Sequence, residues 1–327
     1  MNSFGRIFRL SIFGESHGVN VGVVLDGVPA GIELSEADML SDLARRKSGS
    51  FGTTPRSESD TPHIVSGVFE GHTTGAPLTV IFTNDNTRSG DYSKLRNHPR
   101  PSHADFVASN KFEGWNDPRG GGHFSGRITL GLVVAGVVAK KILKGVNFST
   151  QIIELGGSRN NSEFEGLIAE AVAEGDSLGG IIECCVDSLP VGMGEPFFDS
   201  VESVVAHALF SVPAIKGVEF GVGFECARMR GSEHNDAIVD SKGTTATNNA
   251  GGIVGGITNG NPLIVRAAVK PTASIGRAQQ TYNFATESVD SLEIGGRHDA
   301  CIALRAGVVI ESAIAVALAD LMLISGK

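Results

Sequence analysis

Polar and apolar residues interleave at a period near two over residues 4–13 and 19–25, as in half-buried strands, and Gly14-Glu15-Ser16-His17-Gly18 joins the two runs. Residues 36–47 predict a helix, with Met39, Leu40 and Leu43 on one face, Ser35 as the N-cap and Asp38 three residues on. Strands are predicted at 65–69, 78–83, 180–186, 218–224 and 263–269, and helices at 164–174, behind Ser162, and at 201–210. Residues 128–143 are apolar on nearly every side, as are those from about 300 onward, which suits helices buried inside a core. One such helix in each half predicts layers, with sheets covering buried helices from outside. No regular strand–helix alternation occurs, so the expected class is α+β in one domain spanning 1–327, not a doubly wound parallel sheet. Two stretches carry little periodicity: 48–62, a polar loop bearing Arg56 that reads as linker or lid, and 84–123.

Charge adds a local contrast. The net charge is −9, which excludes general attraction to nucleic acid or an anionic membrane. Yet residues 86–129 hold Arg88, Lys94, Arg96, Arg100, Lys111, Arg119 and Arg127 against only Asp91, Asp105, Glu113 and Asp117. A basic stretch in an acidic protein predicts a pocket for a small anion. Glycine, 43 of 327 residues, is nearly twice its usual share, so many positions admit positive φ or close approach of a ligand. Cys184, Cys185, Cys226 and Cys301 have neither disulfide-framework nor zinc spacing and read as reduced thiols. The amino terminus lacks a secretory h-region, and Glu311 and Asp320 interrupt the apolar run 308–324, so a cytoplasmic protein without a membrane span is expected.

Several clusters carry chemistry. Adjacent Ser16 and His17 on an extended backbone point in opposite directions, and their turn lies between two strands, so neither a catalytic triad nor a nucleophile elbow is met. An acid/base histidine held by glycines, or a plain turn, remains. Gly121-Gly-His-Phe-Ser-Gly126-Arg127 fails the phosphate-loop pattern but offers free amides at a helix start, an anion site or a plain glycine turn. In HPRPSHAD, Arg100 and His103 suit delivery of a proton to an anionic leaving oxygen. In GGRHDA, Asp299 reads as the N-cap of the last helix or as part of a site with Arg297 and His298. NNAGGIVGGITNGNP and KPTASI lack the dinucleotide fingerprint, though their amides and hydroxyls suit a flat cofactor with a phosphate.

Taken together the segments resemble the chorismate synthase family from end to end. The resemblance rests on GESHG with residues 24–29, LARRKSG, SGVFEGHTTGAPL, RPSHAD, RGGGHFSGRIT, GEPFFDS, AIKGVEFG, NNAGGIVGG, KPTASI and GRHDACIALRA with Glu311. It implies a sheet-and-helix sandwich that converts 5-enolpyruvylshikimate 3-phosphate to chorismate by 1,4-elimination of phosphate and a ring proton. The family reaction requires reduced FMN without net redox change. By position in the motifs, Arg46, Arg100, Arg127 and Arg297 hold substrate, with Ser16 and Ser125. His17 is a proton donor near flavin N1, His103 protonates the departing phosphate, and Asp299 assists removal of the ring proton with flavin N5 as the immediate base. FMN lies along His123, Phe124, Ser125, Pro213, Ala214, Gly255, Lys270, Pro271, Thr272, Ala273, Ser274 and Arg297. No metal is implied.

Three departures from the family pattern bear on binding. The loop after Arg46 is one residue short and lacks an additional arginine, a contact left to Arg56 or lost. His123 stands where an arginine is usual, which makes flavin affinity responsive to pH. Pro213 replaces an asparagine. The length leaves no room for a flavin-reducing domain, so the resemblance implies a monofunctional cytoplasmic homotetramer served by a separate NADPH-linked reductase. Two rivals make different predictions: a phosphate-ester hydrolase releases phosphate without flavin, and a non-catalytic flavin-binding module has no turnover to lose.

Overall fold

A computed structural model describes residues 2–54, 58–85, 95–295 and 298–326. The first half builds an antiparallel sheet from β1 (Ser3–Phe4), β2 (Arg9–Gly14), β3 (Asn20–Asp26), β4 (His63–Ser66) and β7 (Leu78–Thr83), in the order β1-β2-β3-β7-β4. β5 (Val68–Phe69) and β6 (His72–Thr73) form a separate short hairpin. The second half builds another antiparallel sheet from β8 (Asn147–Leu155), β9 (Gly180–Asp187), β10 (Ile215–Phe220) and β13 (Leu263–Val269), ordered β10-β13-β9-β8. Two further hairpins pair β11 (Ile253–Val254) with β12 (Ile257–Thr258), and β14 (Gln279–Asn283) with β15 (Ser288–Leu292).

Between the sheets lie the two apolar helices, α3 (Thr129–Ile142) and α7 (Ala303–Ser325). α3 packs along α7 and against β3, and α7 packs against β8 and β9, which makes the sheet–helix–helix–sheet layering expected of this α+β chain. Residues 129–139 and 308–322 are buried without a break, because neighbours cover every face. Where the two helices meet, Gly136 is indispensable: a Cβ there would lie 2.4 Å from Ser312 Oγ. α7 is 23 residues long and apolar enough to span a bilayer by length and composition, but most of it is buried in the core, which is how a central helix of a layered fold meets the same measure. α1 (Ala37–Arg46), α2 (Asp105–Lys111), α4 (Phe164–Glu174), α5 (Val201–Phe210) and the short α6 (Gly231–His234) complete the chain.

Both acids of α7 hold the layers together. Asp320 accepts from the backbone N–H groups of Arg6, Ile7 and Phe8 at 2.9, 2.7 and 2.9 Å. That turn divides the expected strand 4–13 into β1 and β2. Glu311 takes a two-pronged contact from Arg45 (2.9 and 2.7 Å), a hydroxyl from Thr150 (2.9 Å) and the Lys140 ammonium, tying α1, α3 and β8 to the central helix. β8 escapes a reading by hydrophobicity because Thr150, on its more covered side, is polar for this purpose. α2 escapes for the opposite reason: Phe106 and Val107 are exposed and only Ala108 is buried, so its apolar residues mark no inner face. Ser35 does not cap α1; its own N–H and hydroxyl donate to Asp38 instead, at 2.7 and 2.9 Å.

Candidate functional site

Where α3 begins, the glycine turn and the GESHG turn meet. Gly120, Gly121 and Gly122 have φ of 60°, 82° and 54°. Ser16 donates its N–H to Gly122 O at 3.0 Å, and His123 Nδ1 donates to Gly14 O at 2.7 Å, so segments a hundred residues apart are stitched together. Asn84 Nδ2 closes the GESHG turn by donating to Glu15 O (3.1 Å) and Gly18 O (2.8 Å). His17 is buried behind Gly120: a Cβ there would lie 2.4 Å from His17 Cε1 and 2.7 Å from Ser16 Oγ, so only glycine leaves both side chains in place.

In front of this junction opens a cavity of about 760 Å³, within the range of small-molecule sites. Its walls are the turn into α3, the start of α7, residues 211–215 ahead of β10, and residues 270–274 after β13. Three non-glycine residues with positive φ border it, Asp60 (47°), Ser102 (57°) and Ala214 (74°), the kind of backbone strain that collects at binding sites. Arg46, Lys47, Arg127, Lys270 and Arg305 bring positive charge, against Glu58, Asp60 and Asp299. Arg46 and Arg127 are both buried. Arg46 donates to Thr129 Oγ1 (3.0 Å), Asp60 Oδ2 (3.3 Å) and Gly126 O (3.1 Å), while Arg127 donates to Asp60 Oδ1 (2.8 Å) and Thr83 O (3.3 Å) and also engages Asn84 and Glu58. Burial pulls the Arg46 pKa down to about 10; Asp60 opposes this, while Arg305 and Arg127 deepen it. Three guanidinium groups crowded out of water favour an added anion. Lys270 is also lowered, by burial and then by Lys216.

His103 also lines the cavity, with Nδ1 2.6 Å from Asp105 Oδ1. Arg100 clasps the same carboxylate through its backbone N–H, Nε and Nη2, at 3.1, 2.7 and 2.7 Å, and donates from Nη1 to Ser274 Oγ at 2.9 Å. Asp299 accepts from Thr54 N–H at 3.0 Å and faces Arg305 at 3.5 Å. It does not cap α7, whose cap position is Ile302. Burial lowers the neighbouring His298 below the usual imidazole range.

Ser16, Arg46, His103, His123, Phe124, Ser125, Arg127, Pro213, Ala214, Asp299 and residues 270–274 thus border one cavity. Three expected site residues do not. His17 stands behind Gly120, Arg100 is spent on Asp105 and Ser274, and Gly255 lies exposed in the β11–β12 turn. Arg297 and Arg56, with Arg88 and Lys94 of the basic stretch, fall outside the described residues. Sequence reasoning missed Lys47, Glu58, Asp60, Arg305 and the pairing of Asp105, since a carboxylate in an aperiodic loop gives no sign of which cation it faces.

Comparison with known proteins identifies the family. A family model described as Chorismate synthase matches residues 8–323. A chorismate synthase of Chitinophaga pinensis is 61% identical over 328 residues, covering 100% of this chain and 98% of that one. One of Korarchaeum cryptofilum is 45% identical over 346 residues, covering 97% and 96% of the two chains. A crystal structure of a chorismate synthase superposes with a TM-score of 0.76 at 28% identity, covering 98% of this chain and 93% of that one. With a full-length family match and an anion-seeking cavity at the junction of its motifs, the chain belongs to the chorismate synthase family, lyases that act on a phosphate ester.

Proposed function

We propose that the cavity binds 5-enolpyruvylshikimate 3-phosphate beside reduced FMN and that its own side chains run the 1,4-elimination to chorismate. The observation that carries this reading is the crowding of Arg46, Arg127 and Arg305 around one cavity with His103 on its wall. A substrate with a phosphate and two carboxylates needs such forked donors. Arg46 and Arg127 hold its anionic groups with Ser16 and Ser125, and Arg297 adds a further fork. His103 gives a proton to the departing phosphate and Asp299 assists loss of the ring proton, while His17, behind Gly120 and off the cavity, supports the glycine turn at the flavin end and touches neither ligand directly.

The residues present suit the flavin. Thr272 Oγ1 is buried and has no hydrogen-bond partner among the described residues, a polar atom in want of a ligand. Lys270, Ser274 and Ser125 supply further donors around the same cavity, His123 its remaining ring nitrogen, Phe124 an aromatic face, and Pro213 and Ala214 a turn whose positive φ at Ala214 brings backbone to the cavity. When bound, reduced FMN supplies an electron-rich ring next to the substrate, while the protein supplies placement and charge.

The same reading makes the chain a single-domain cytoplasmic enzyme that assembles as a homotetramer and receives its flavin from a separate reductase. Exposure of Phe197 (86%) and Phe198 (92%) supports association, since large apolar side chains this bare mark contact surfaces. Anaerobic assay with the enolpyruvyl phosphate and dithionite-reduced FMN tests the activity: chorismate absorbance appears with reduced flavin and is absent without it. Phosphate release without flavin would instead identify a hydrolase, and light scattering checks the tetramer.

A further inference from the structure

His103 Nδ1 has two neighbours that cannot both be satisfied. It lies 2.6 Å from Asp105 Oδ1 and 3.0 Å from Arg100 Nη2. A ring nitrogen either carries a hydrogen for the carboxylate or offers a lone pair to the guanidinium. The carboxylate is the nearer partner, and Arg100 Nη2 already donates to that same Oδ1 at 2.7 Å. The side chains of Asp105 and Arg100 are 10% and 5% exposed, so water does not compete strongly for either group. Nε2 is then the nitrogen left for a ligand, and Gly121 beside it has no side chain: a Cβ there would only just touch, 3.5 Å from Nε2.

We propose that Asp105 is a positioning residue for the elimination: its carboxylate keeps the hydrogen on His103 Nδ1, so that Nε2 carries the only proton the ring can pass to the departing phosphate oxygen. The inference rests on the reading of His103 as that proton donor. Over the elimination, the carbon–oxygen bond breaks with its electron pair on the phosphate oxygen, the pair of the ring C–H bond that loses its proton shifts through the double bond to the vacated carbon, the Nε2–H bond breaks, and an O–H bond forms. The imidazolium becomes neutral imidazole with its hydrogen on Nδ1, and solvent restores the lost proton between turnovers. Asp105 takes no proton itself. Burial would raise its carboxyl, but hydrogen bonds from Arg100 and His103 outweigh that and hold it well below the usual carboxylate range.

Without Asp105, Arg100 is the remaining neighbour of Nδ1 and donates to it. The neutral ring then carries its hydrogen on Nε2 and cannot act as the same acid, much as a triad histidine fails in the wrong tautomer. Selective ¹⁵N labelling of histidine, with His103→Ala to assign its signals, reads this directly in the full-length protein. We expect a protonated Nδ1 in the parent and an unprotonated Nδ1 in Asp105→Asn. In the anaerobic assay Asp105→Asn lowers kcat by about 10²-fold with KM little changed, the loss of an interaction specific to the transition state. Added to His103→Ala it causes no further loss.

The outcomes separate the two claims. Full turnover by His103→Ala overturns the donor reading and this inference with it. A slow His103→Ala beside a fully active Asp105→Asn overturns the inference alone. Should Asp105→Asn not fold, an unprotonated Nδ1 in the parent at neutral pH overturns it without any variant.

Discussion

Arg127 Nη1 donates to Asp60 Oδ1 across 2.8 Å with both side chains buried, and Asp60 Oδ2 takes Arg46 Nη1 at 3.3 Å. One carboxylate thus bridges the two cations proposed to hold substrate and keeps them apart before any ligand arrives. Removing its charge leaves two buried guanidinium groups underpaired, which costs about 3–5 kcal/mol. Asp60→Asn therefore melts at a lower temperature than the parent, and phosphate raises its Tm by more than it raises the parent's, since an anion bound to the folded state stabilises by mass action. Thermal melts with and without millimolar phosphate make the comparison. An equal phosphate shift in both proteins would mean that Arg46 and Arg127 do not face the anion.

Gly120 sets the distance between the GESHG turn and the cavity. Alanine at φ +60° is strained, and its methyl would overlap His17 Cε1 and Ser16 Oγ. Gly120→Ala costs about 1–3 kcal/mol and pushes both side chains off their positions. Turnover then falls by at least 10-fold, as expected when reacting groups shift by about an ångström. Chemical denaturation and the anaerobic assay measure the two effects, and a variant with parental turnover would show that neither Ser16 nor His17 needs its present position.

The apolar helices announced the layered core because burial on all sides erases amphipathic contrast, as in α3 and α7. The glycine turn and RPSHAD were equally readable, since positive φ and histidine chemistry leave compositional marks. Arg100 shows where spelling stops: its residue type suits an anion, yet its position makes it the clasp of Asp105, and only the fold decides between the two. Asp60 and Arg305 were invisible for a related reason. Their partners lie at Arg46 and Arg127 in one case and Asp299 in the other, contacts set by tertiary packing that no period in the chain encodes.

Glu311 predicts an acid-sensitive joint between α1 and the core. Burial would raise its carboxyl, but hydrogen bonds and charge from Arg45 and Lys140 prevail and lower it from the ordinary 4.5. A depressed carboxylate stabilises the fold above its unfolded pKa, and that contribution is lost as pH falls through the folded one. Stability of the parent therefore declines as pH drops below about 4.5, and Glu311→Gln removes that part of the slope. At neutral pH the variant is less stable by about 2 kcal/mol, between the exposed and the fully buried limits because Arg45 is half in solvent. Denaturation at pH 7 and at pH 4 measures both, and parallel losses on acidification would assign the sensitivity to other carboxylates.

Thr272 separates stability from binding. Its Oγ1 is buried with no hydrogen-bond partner among the described residues, a state that costs about 1–3 kcal/mol in the ligand-free protein. Valine has nearly the same shape and no hydroxyl. Thr272→Val is therefore as stable as the parent or more so in the absence of flavin, yet binds FMN more weakly, by about 10-fold if the hydroxyl meets the cofactor in one hydrogen bond worth about 1.4 kcal/mol. Melting without flavin and titration with FMN distinguish the cases. A more stable variant that binds FMN as tightly as the parent would remove Thr272 from the cofactor site, whereas a less stable one would show that the hydroxyl already has a structural partner.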